Sequence, residues 1–373
     1  EVTETESNRV VWRDTLDSPG KDLIALREQI TARLRQGLFP TLASAVPRPE
    51  GSAPKNPEAY DLYLRASAFP RDPAPNKEAL GMLERAVALD SAFAPSWNAL
   101  GKRYYYQATY GQAGSAFLEK ARGAHQRALE LDPNFTEAAA NLVILRVEGG
   151  DTSGALEDAD RILRARPDSG RAHFTRSYVL RYAGLLDESA RECDAALAID
   201  PKDPAWRSCA FTFTQLGRYE RAREYTRLDG SSQWAALVDS DTLLSAGRKE
   251  EAAASLAKVT SDYVRAPIER ACLEGHPLAA DDPRLRAQEE DLLTQRDPEP
   301  KYFTARRFAY CGYRDAALRL LRSAVQNNYL VYPAMDRDPL LVTVRNTPEF
   351  TSIRDLAIQK QKELAVRRGE ARK

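Results

Sequence analysis

GRAHFTRSYVLRYAGLLDESARECDAALAIDP, residues 170–201, holds one complete unit of the architecture. Ala172 and His173 stand early in one run, Leu180 lies one face later, and Gly184 interrupts it. Ser189, Cys193 and Ala196 then recur at helical spacing along a second run, which Asp200-Pro201 ends because proline cannot continue a helix. A helix closes with least strain on a left-handed residue just past its end, where glycine has no Cβ to clash. The stretch therefore predicts two short helices joined at a glycine.

Working outward, the same frame returns in 136–167 (Ala138, Leu142, Gly150, Ala155, Ala159, Pro167). It returns in 95–133 (Trp97, Leu100, Gly101, Tyr104, Ala121, Ala128, Pro133), with an insertion around Gly111–Ser115. Residues 204–228 carry Trp206, Phe213, Gly217, Tyr219 and Ala222; residues 233–259 carry Ala235, Leu243, Gly247, Ala252 and Leu256. Weaker members occupy 57–91 and 299–327 (Phe308, Gly312, Ala317, Leu321, Ala324), and 263–296 is degenerate. Gly150, Gly184, Gly217, Gly247 and Gly312 thus mark one phase of a repeat of about 34 residues. Helical hairpins repeated about eight times make a solenoid, which grows by adding units and escapes the size limit of a single core.

The 373 residues are 43% hydrophobic and 29% charged, the profile of a soluble globular protein. Lys+Arg and Asp+Glu are 54 each, so no net field favours nucleic acid or an anionic membrane. No run of about 18 apolar residues is present to span a bilayer. Without an initiating Met or a signal peptide, Glu1 reads as a cut or processed end. Cys193, Cys209, Cys272 and Cys311 form no CxxC and no metal-ligand spacing. They are either buried thiols or, in an oxidising compartment, Cys193–Cys209 or Cys272–Cys311 bridges.

The ends depart from the repeat. Val2–Leu16 predicts two strands around a Ser7-Asn8 turn, and a lone hairpin is marginal in water, so a second copy or another segment should complete it. Asp22–Leu38 predicts a helix with Leu23, Ile24, Leu26, Ile30 and Leu34 on one stripe. The expected organisation is residues 1–38 as a hairpin and helix, 39–56 as a proline-rich linker, and 57–330 as the solenoid. Residues 331–373 follow as a cap helix, from Thr347, and a charged tail.

The repeats resemble the tetratricopeptide repeat, with a bulky residue early in the first helix, Leu and a small residue a turn later, Ala pairs on the second helix, and a closing Pro. That resemblance implies an all-α, right-handed superhelix of helical hairpins. The flanks, VVWRDTLD, DLIALREQITARL, NPEAYDLYLRA and DPLL…R…PEF, resemble the C-terminal region of bacterial membrane-bound signalling proteins. In those proteins a TolB-like α/β domain precedes such repeats, and a kinase, winged-helix regulator or cyclase lies elsewhere. Residues 1–38 would be the remnant of that domain, and the chain an extracytoplasmic regulatory arm.

Catalysis finds no support in the residues. The glycines separate helices rather than a strand and a helix, and GxxxxGK[ST], HExxH and GxSxG are all missing. His125, His173 and His276 are scattered, the first two at packing positions, and Glu289-Glu290-Asp291 is a charge run on a helix. No catalytic residue, cofactor or metal is expected; a protein or peptide partner is, with a homodimer as the alternative. In repeats of this type the first helix of each unit lines the concave wall. There this sequence places Asn98, Lys102, Tyr105, Tyr106, Asn141, Glu148, Arg171, Phe174, Tyr178, Arg181, Tyr182, Arg207, Phe211 and Gln215. Tyr, Phe and Arg are enriched at binding hot spots, and Tyr178, Arg181 and Tyr182 share one helix face. Some relatives of this repeat type clamp a peptide carboxylate. Here Asn141 and Arg171 match that pattern, Asn98 and Lys102 are interchanged, and Thr175 stands where Arg would, so the clamp lacks a main donor.

Overall fold

The computed structural model describes residues 2–4, 9–15, 22–34, 53–70, 72–110, 114–230, 232–260 and 266–371. The chain divides into two compact units, Glu1–Ala139 and Ala140–Lys373.

In the first unit, β1 (Val2–Glu4) and β2 (Arg9–Trp12) pair antiparallel, with Thr3 opposite Val10 and Glu4 opposite Arg9. The turn expected at Ser7-Asn8 lies outside the described residues, as do 39–52 of the proline-rich linker. Helix α1 (Leu23–Arg33) begins where Asp22 accepts bonds from the Ile24 and Ala25 N–H groups at 3.1 and 3.0 Å. Side-chain caps of this kind satisfy donors that a helix start leaves unpaired.

Two helix pairs follow, α2 (Pro57–Ala68) with α3 (Pro73–Leu89) and α4 (Ala94–Tyr110) with α5 (Ser115–Leu131). Their small and branched apolar positions, Ala66, Ala79, Leu83, Val87 and Leu100, form one core. Of the expected insertion, residues 111–113 are outside the described set, and Ser115 already opens α5. Arg103 is buried and donates to the carbonyls of Ala66, Phe69 and Pro70 at 2.7–2.8 Å. One guanidinium thus gathers three carbonyls at and just beyond the end of α2.

The second unit continues from α6 (Thr136–Glu148) through α7 (Thr152–Ala165), α8 (Gly170–Tyr182) and α9 (Leu186–Ile199). A 3₁₀ turn, Pro204–Ser208, leads into α10 (Cys209–Gln215) and α11 (Tyr219–Thr226). Then come α12 (Gln233–Ser245), α13 (Lys249–Leu256), α14 (Ala266–Leu273), α15 (Pro283–Thr294), α16 (Glu299–Tyr310) and α17 (Arg314–Gln326). A short α18 (Tyr332–Met335) and a long α19 (Pro348–Ala371) finish the described chain. The five glycines of the repeat phase all have positive φ, between 72° and 92°. At Gly184 the following N–H, of Leu185, reaches back to the Leu180 carbonyl at 2.9 Å, the bond that closes a helix on a left-handed residue.

The unit then closes on itself. Helices α16, α17 and α19 share a single hydrophobic core with α8, α9 and α10: Tyr302, Phe308, Leu321 and Ile353 pack in one cluster with Tyr182, Cys193 and Phe213. The segment after α17 runs across the turns of the earlier repeats. Asn328 Nδ2 donates to the Gly150 carbonyl at 2.6 Å, the Leu330 N–H to Tyr182 O at 2.8 Å, and Gln361 Nε2 to Ala183 O at 2.8 Å. The ends of α6 and α8 are thereby closed by residues about 150 to 180 positions downstream. The expected charged tail is instead helical through Ala371, with Leu364 buried beside Ala183 and Leu330. The sequence left the cysteines open; the structure pairs both, Cys193 with Cys209 and Cys272 with Cys311.

Candidate functional site: the inner face of the repeats

The first helix of each pair supplies the residues singled out from sequence, and the two units treat them differently. In the first unit, Asn98 is buried, its Oδ1 2.9 Å from Nδ1 of His125. Lys102 forms an ion pair with Glu137, with the two side chains 35% and 41% exposed. Tyr105 and Tyr106 are half-buried and meet edge to face at 5.8 Å. On the next face of α4, the Tyr104 hydroxyl donates to Glu84 at 2.8 Å, and Lys120 lies 4.8 Å from the Phe117 ring and 5.5 Å from that of Tyr104. Burial, reinforced by Glu84, pushes the Tyr104 hydroxyl above its ordinary range.

In the second unit the Tyr178, Arg181 and Tyr182 cluster is internal, which corrects the expectation of a groove-lining trio. Arg181 is 0% exposed. Its guanidinium donates to both Glu299 oxygens, at 2.6 and 3.2 Å, and to the Ser208 carbonyl at 3.2 Å. It also sits 4.5 Å from the Tyr178 ring centre. Burial opposes the guanidinium charge, but the Glu299 carboxylate with the Tyr329 and Tyr178 hydroxyls outweighs it and holds the Arg181 pKa above its ordinary value. Tyr182 donates to Asp297 at 2.8 Å, and Tyr178 to Glu148 at 2.7 Å. Burial first, then the Asp297 and Glu299 carboxylates, push the Tyr182 hydroxyl well up. Phe174 and Phe211 also pack inward, Phe174 5.0 Å from Trp206 and Phe211 4.3 Å from Phe303. Gln215 donates to Tyr329 at 2.7 Å.

What fills this face is helix α16. Glu299 at its start takes Arg181, and Arg306 further along donates to Asp241 at 2.6 Å, to Ser245 at 2.8 Å and to Asp338. Arg307 donates to Glu269 at 2.9 Å. Sequence reasoning missed Asp297, Glu299, Tyr302, Arg306 and Tyr329. The stretch EPKYFTARRFAY carries four charged residues, so its pattern does not announce a helix buried on nearly every side; their partners, Arg181, Asp241 and Glu269, come from distant repeats.

Of the remaining positions, Asn141 and Arg171 come together, Arg171 donating to Asn141 Oδ1 and lying 5.4 Å from the Phe174 ring. Arg207 is engaged by Asp229 and stacks 4.3 Å over Trp234. Thr175 is buried and bonds back to the Arg171 carbonyl at 2.8 Å, so it adds no donor to a carboxylate clamp. Among the described residues no group of His, Cys, Asp and Glu is placed to hold a metal ion, and no helix is long and apolar enough to cross a membrane.

No family model matches the chain. It is 28% identical over 178 residues to the Superkiller complex protein 3 of Mus musculus, covering 45% of this chain and 11% of that protein. It is 30% identical over 127 residues to the Tetratricopeptide repeat protein 37 of Xenopus laevis, covering 33% of this chain and 8% of that protein. The matches thus take in a small fraction of each relative's length. Among solved structures, a thermophilic TPR protein of Thermus thermophilus aligns over 48% of this chain and 98% of its own, at 18% identity and a TM-score of 0.41. Human IFIT1, in a dimer with PPP-AAAA, aligns over 68% of each chain at 12% identity and a TM-score of 0.42. Over part of its length the chain is thus similar to tetratricopeptide-repeat proteins, a type that generally mediates protein–protein interaction.

Proposed function

We propose that this chain is a non-catalytic interaction module whose partner-binding face is the α4 surface of the first unit, around Lys102 and Tyr105, receiving a peptide or helix of a partner protein. The observation that carries the reading is a contrast in occupancy. In the second unit the equivalent face is filled by α16, whereas on α4 Lys102, Tyr104, Tyr105 and Tyr106 are all only half-buried. Large aromatics with a cation beside them offer much contact area at little rotamer cost. A carboxylate-bearing partner would compete with Glu137 for Lys102.

Peptides selected from a displayed library against the folded protein test this. Tyr105→Ala with Lys102→Ala should weaken the recovered peptides by about 2–4 kcal/mol, while Tyr178→Phe leaves their affinity unchanged. Peptides indifferent to the α4 pair would move the site elsewhere. The larger role, a regulatory arm of a bacterial signalling protein on the extracytoplasmic side of a membrane, is supported by the resemblance of the flanks and by the two disulfides, which persist in oxidising compartments.

A second reading, self-association, is favoured by β1 and β2. A two-stranded ladder is marginal alone, and Val10 on it is 42% exposed. Deleting residues 1–20 should then convert a dimer to a monomer in light scattering; a dimer that survives the deletion rejects it.

A further inference from the structure

The two disulfides sit in different surroundings, and the difference has a chemical consequence. Cys193 and Cys209 are each 0% exposed, within the main core of the second unit. Cys272 is 8% exposed and Cys311 is half-buried at the end of α16, next to the Gly312 turn. Thiol–disulfide exchange requires a thiolate to approach one sulfur, so access decides which bridge reacts in the folded protein.

The accessible bridge also occupies a joint. Cys272 lies three residues after Glu269 on α14, and Cys311 four residues after Arg307 on α16, so the bridge and the Arg307–Glu269 bond at 2.9 Å tie the same two helices side by side. Leu273, adjacent to Cys272, belongs to a separate apolar cluster with Leu243, Leu256 and Leu340, while Cys311 packs against the main core. Ile268 on the same helix belongs to the main core, so α14 touches both clusters, and the bridge adds a covalent tie between α14 and the end of α16. Helix α14 spans only eight residues, too short to hold itself by its own backbone bonds.

We propose that Cys272–Cys311 is a reducible clasp that sets how firmly α14 and the C-terminal half of α16 are seated, and that Cys193–Cys209 is an inert structural bridge. A dithiol reductant opens the clasp in two exchanges. Its first thiolate bonds one cysteine sulfur and expels the other as thiolate. Its second thiol then closes the reductant into a cyclic disulfide and releases the second cysteine. Two electrons pass from the dithiol to the bridge, and two protons end on Cys272 and Cys311. The Arg181–Glu299 pair at the other end of α16 stays closed, so the helix loosens from one end.

The test treats the folded full chain with dithiothreitol, alkylates at intervals, and reads each cysteine by peptide mass spectrometry, with hydrogen exchange recorded alongside. Cys272 and Cys311 should be labelled at least about tenfold faster than Cys193 and Cys209. Exchange should rise in α14 and around Arg307 while α8 stays protected. The doubly substituted Cys272→Ser, Cys311→Ser chain should show that raised exchange without reductant; should it fail to fold, the wild-type time course decides alone. Labelling of all four cysteines at one rate, or selective reduction with unchanged exchange in α14 and α16, overturns the proposal.

Discussion

Helices α4 and α8 occupy the same phase of the repeat, yet Lys102, Tyr105 and Tyr106 on one are half-buried while Tyr178, Arg181 and Tyr182 on the other are buried. Both follow the same local rules, seen in a ring that reaches back to a carbonyl of the preceding repeat: Trp97 Nε1 donates to Ser91 O at 2.9 Å at the start of α4, and His173 Nε2 lies 3.1 Å from Pro167 O at the start of α8. The difference lies in the 118-residue span that returns Glu299 to Arg181, for which the Lys102 pair with Glu137, 35 residues away, is no equivalent. The Arg181 charge is held in a dry interior among carboxylates, hydroxyls and rings, whereas the Lys102 charge is paired with Glu137 at a half-exposed surface.

The largest effect that tests this contrast is Glu299→Ala. It leaves Arg181 buried without its carboxylate and should cost about 3–5 kcal/mol, seen as a lower midpoint for denaturation of the second unit. Glu137→Ala, which removes the partner of Lys102, should cost no more than about 1 kcal/mol. Equal losses at the two sites would erase the distinction between the faces.

Gly184→Val comes next. A Cβ there collides with the Leu330 carbonyl and the Gln361 amide in addition to the strain of positive φ. Gly217 and Gly247 share the φ but have nothing within 4 Å of a built Cβ. Valine at Gly217 should therefore cost about 1–3 kcal/mol, and at Gly184 a further ~1–3 kcal/mol from overpacking. Chemical denaturation of the two variants compares them. Matching values would mean that the C-terminal segment yields freely to the new side chain.

A smaller effect concerns pH. Burial raises the hydroxyls of Tyr182, Tyr302 and Tyr329 well above their ordinary value, with neighbouring carboxylates adding to it. The folded state then binds these protons more tightly than the unfolded chain. Their contribution is complete below about pH 10 and is lost as pH climbs through the raised folded values. Alkaline titration should show tyrosine ionisation coinciding with unfolding of the second unit. Ionisation of these tyrosines in a still-folded chain would contradict their burial in carboxylate contacts.

Much of this was legible in the residues. The helix pairs around Gly150, Gly184 and Gly217, the helix that starts at Asp22, and the packing role of His125 follow from periodicity and turn chemistry within about one repeat. Tyr178, Arg181 and Tyr182 look like a face turned to a ligand because their own helix, taken alone, shows a cluster of hot-spot residue types. Nothing in residues 170–201 announces that Glu299 and Asp297 arrive from a later repeat to meet them. The same holds for α19, whose charged sequence reads as a tail until Leu364 and Gln361 are seen against Ala183.

The repeat is written locally in the residues: where each helix starts, which small residues let pairs pack, and which glycines must turn left-handed. These are consequences of sterics and hydrogen bonding within about one repeat length. Long-range packing sets the rest: the second unit closes over its own inner face, both cysteine pairs join, and the α4 face is left half-buried. A buried ion pair draws its strength from the dielectric around it, and that surrounding is built by residues more than a hundred positions away.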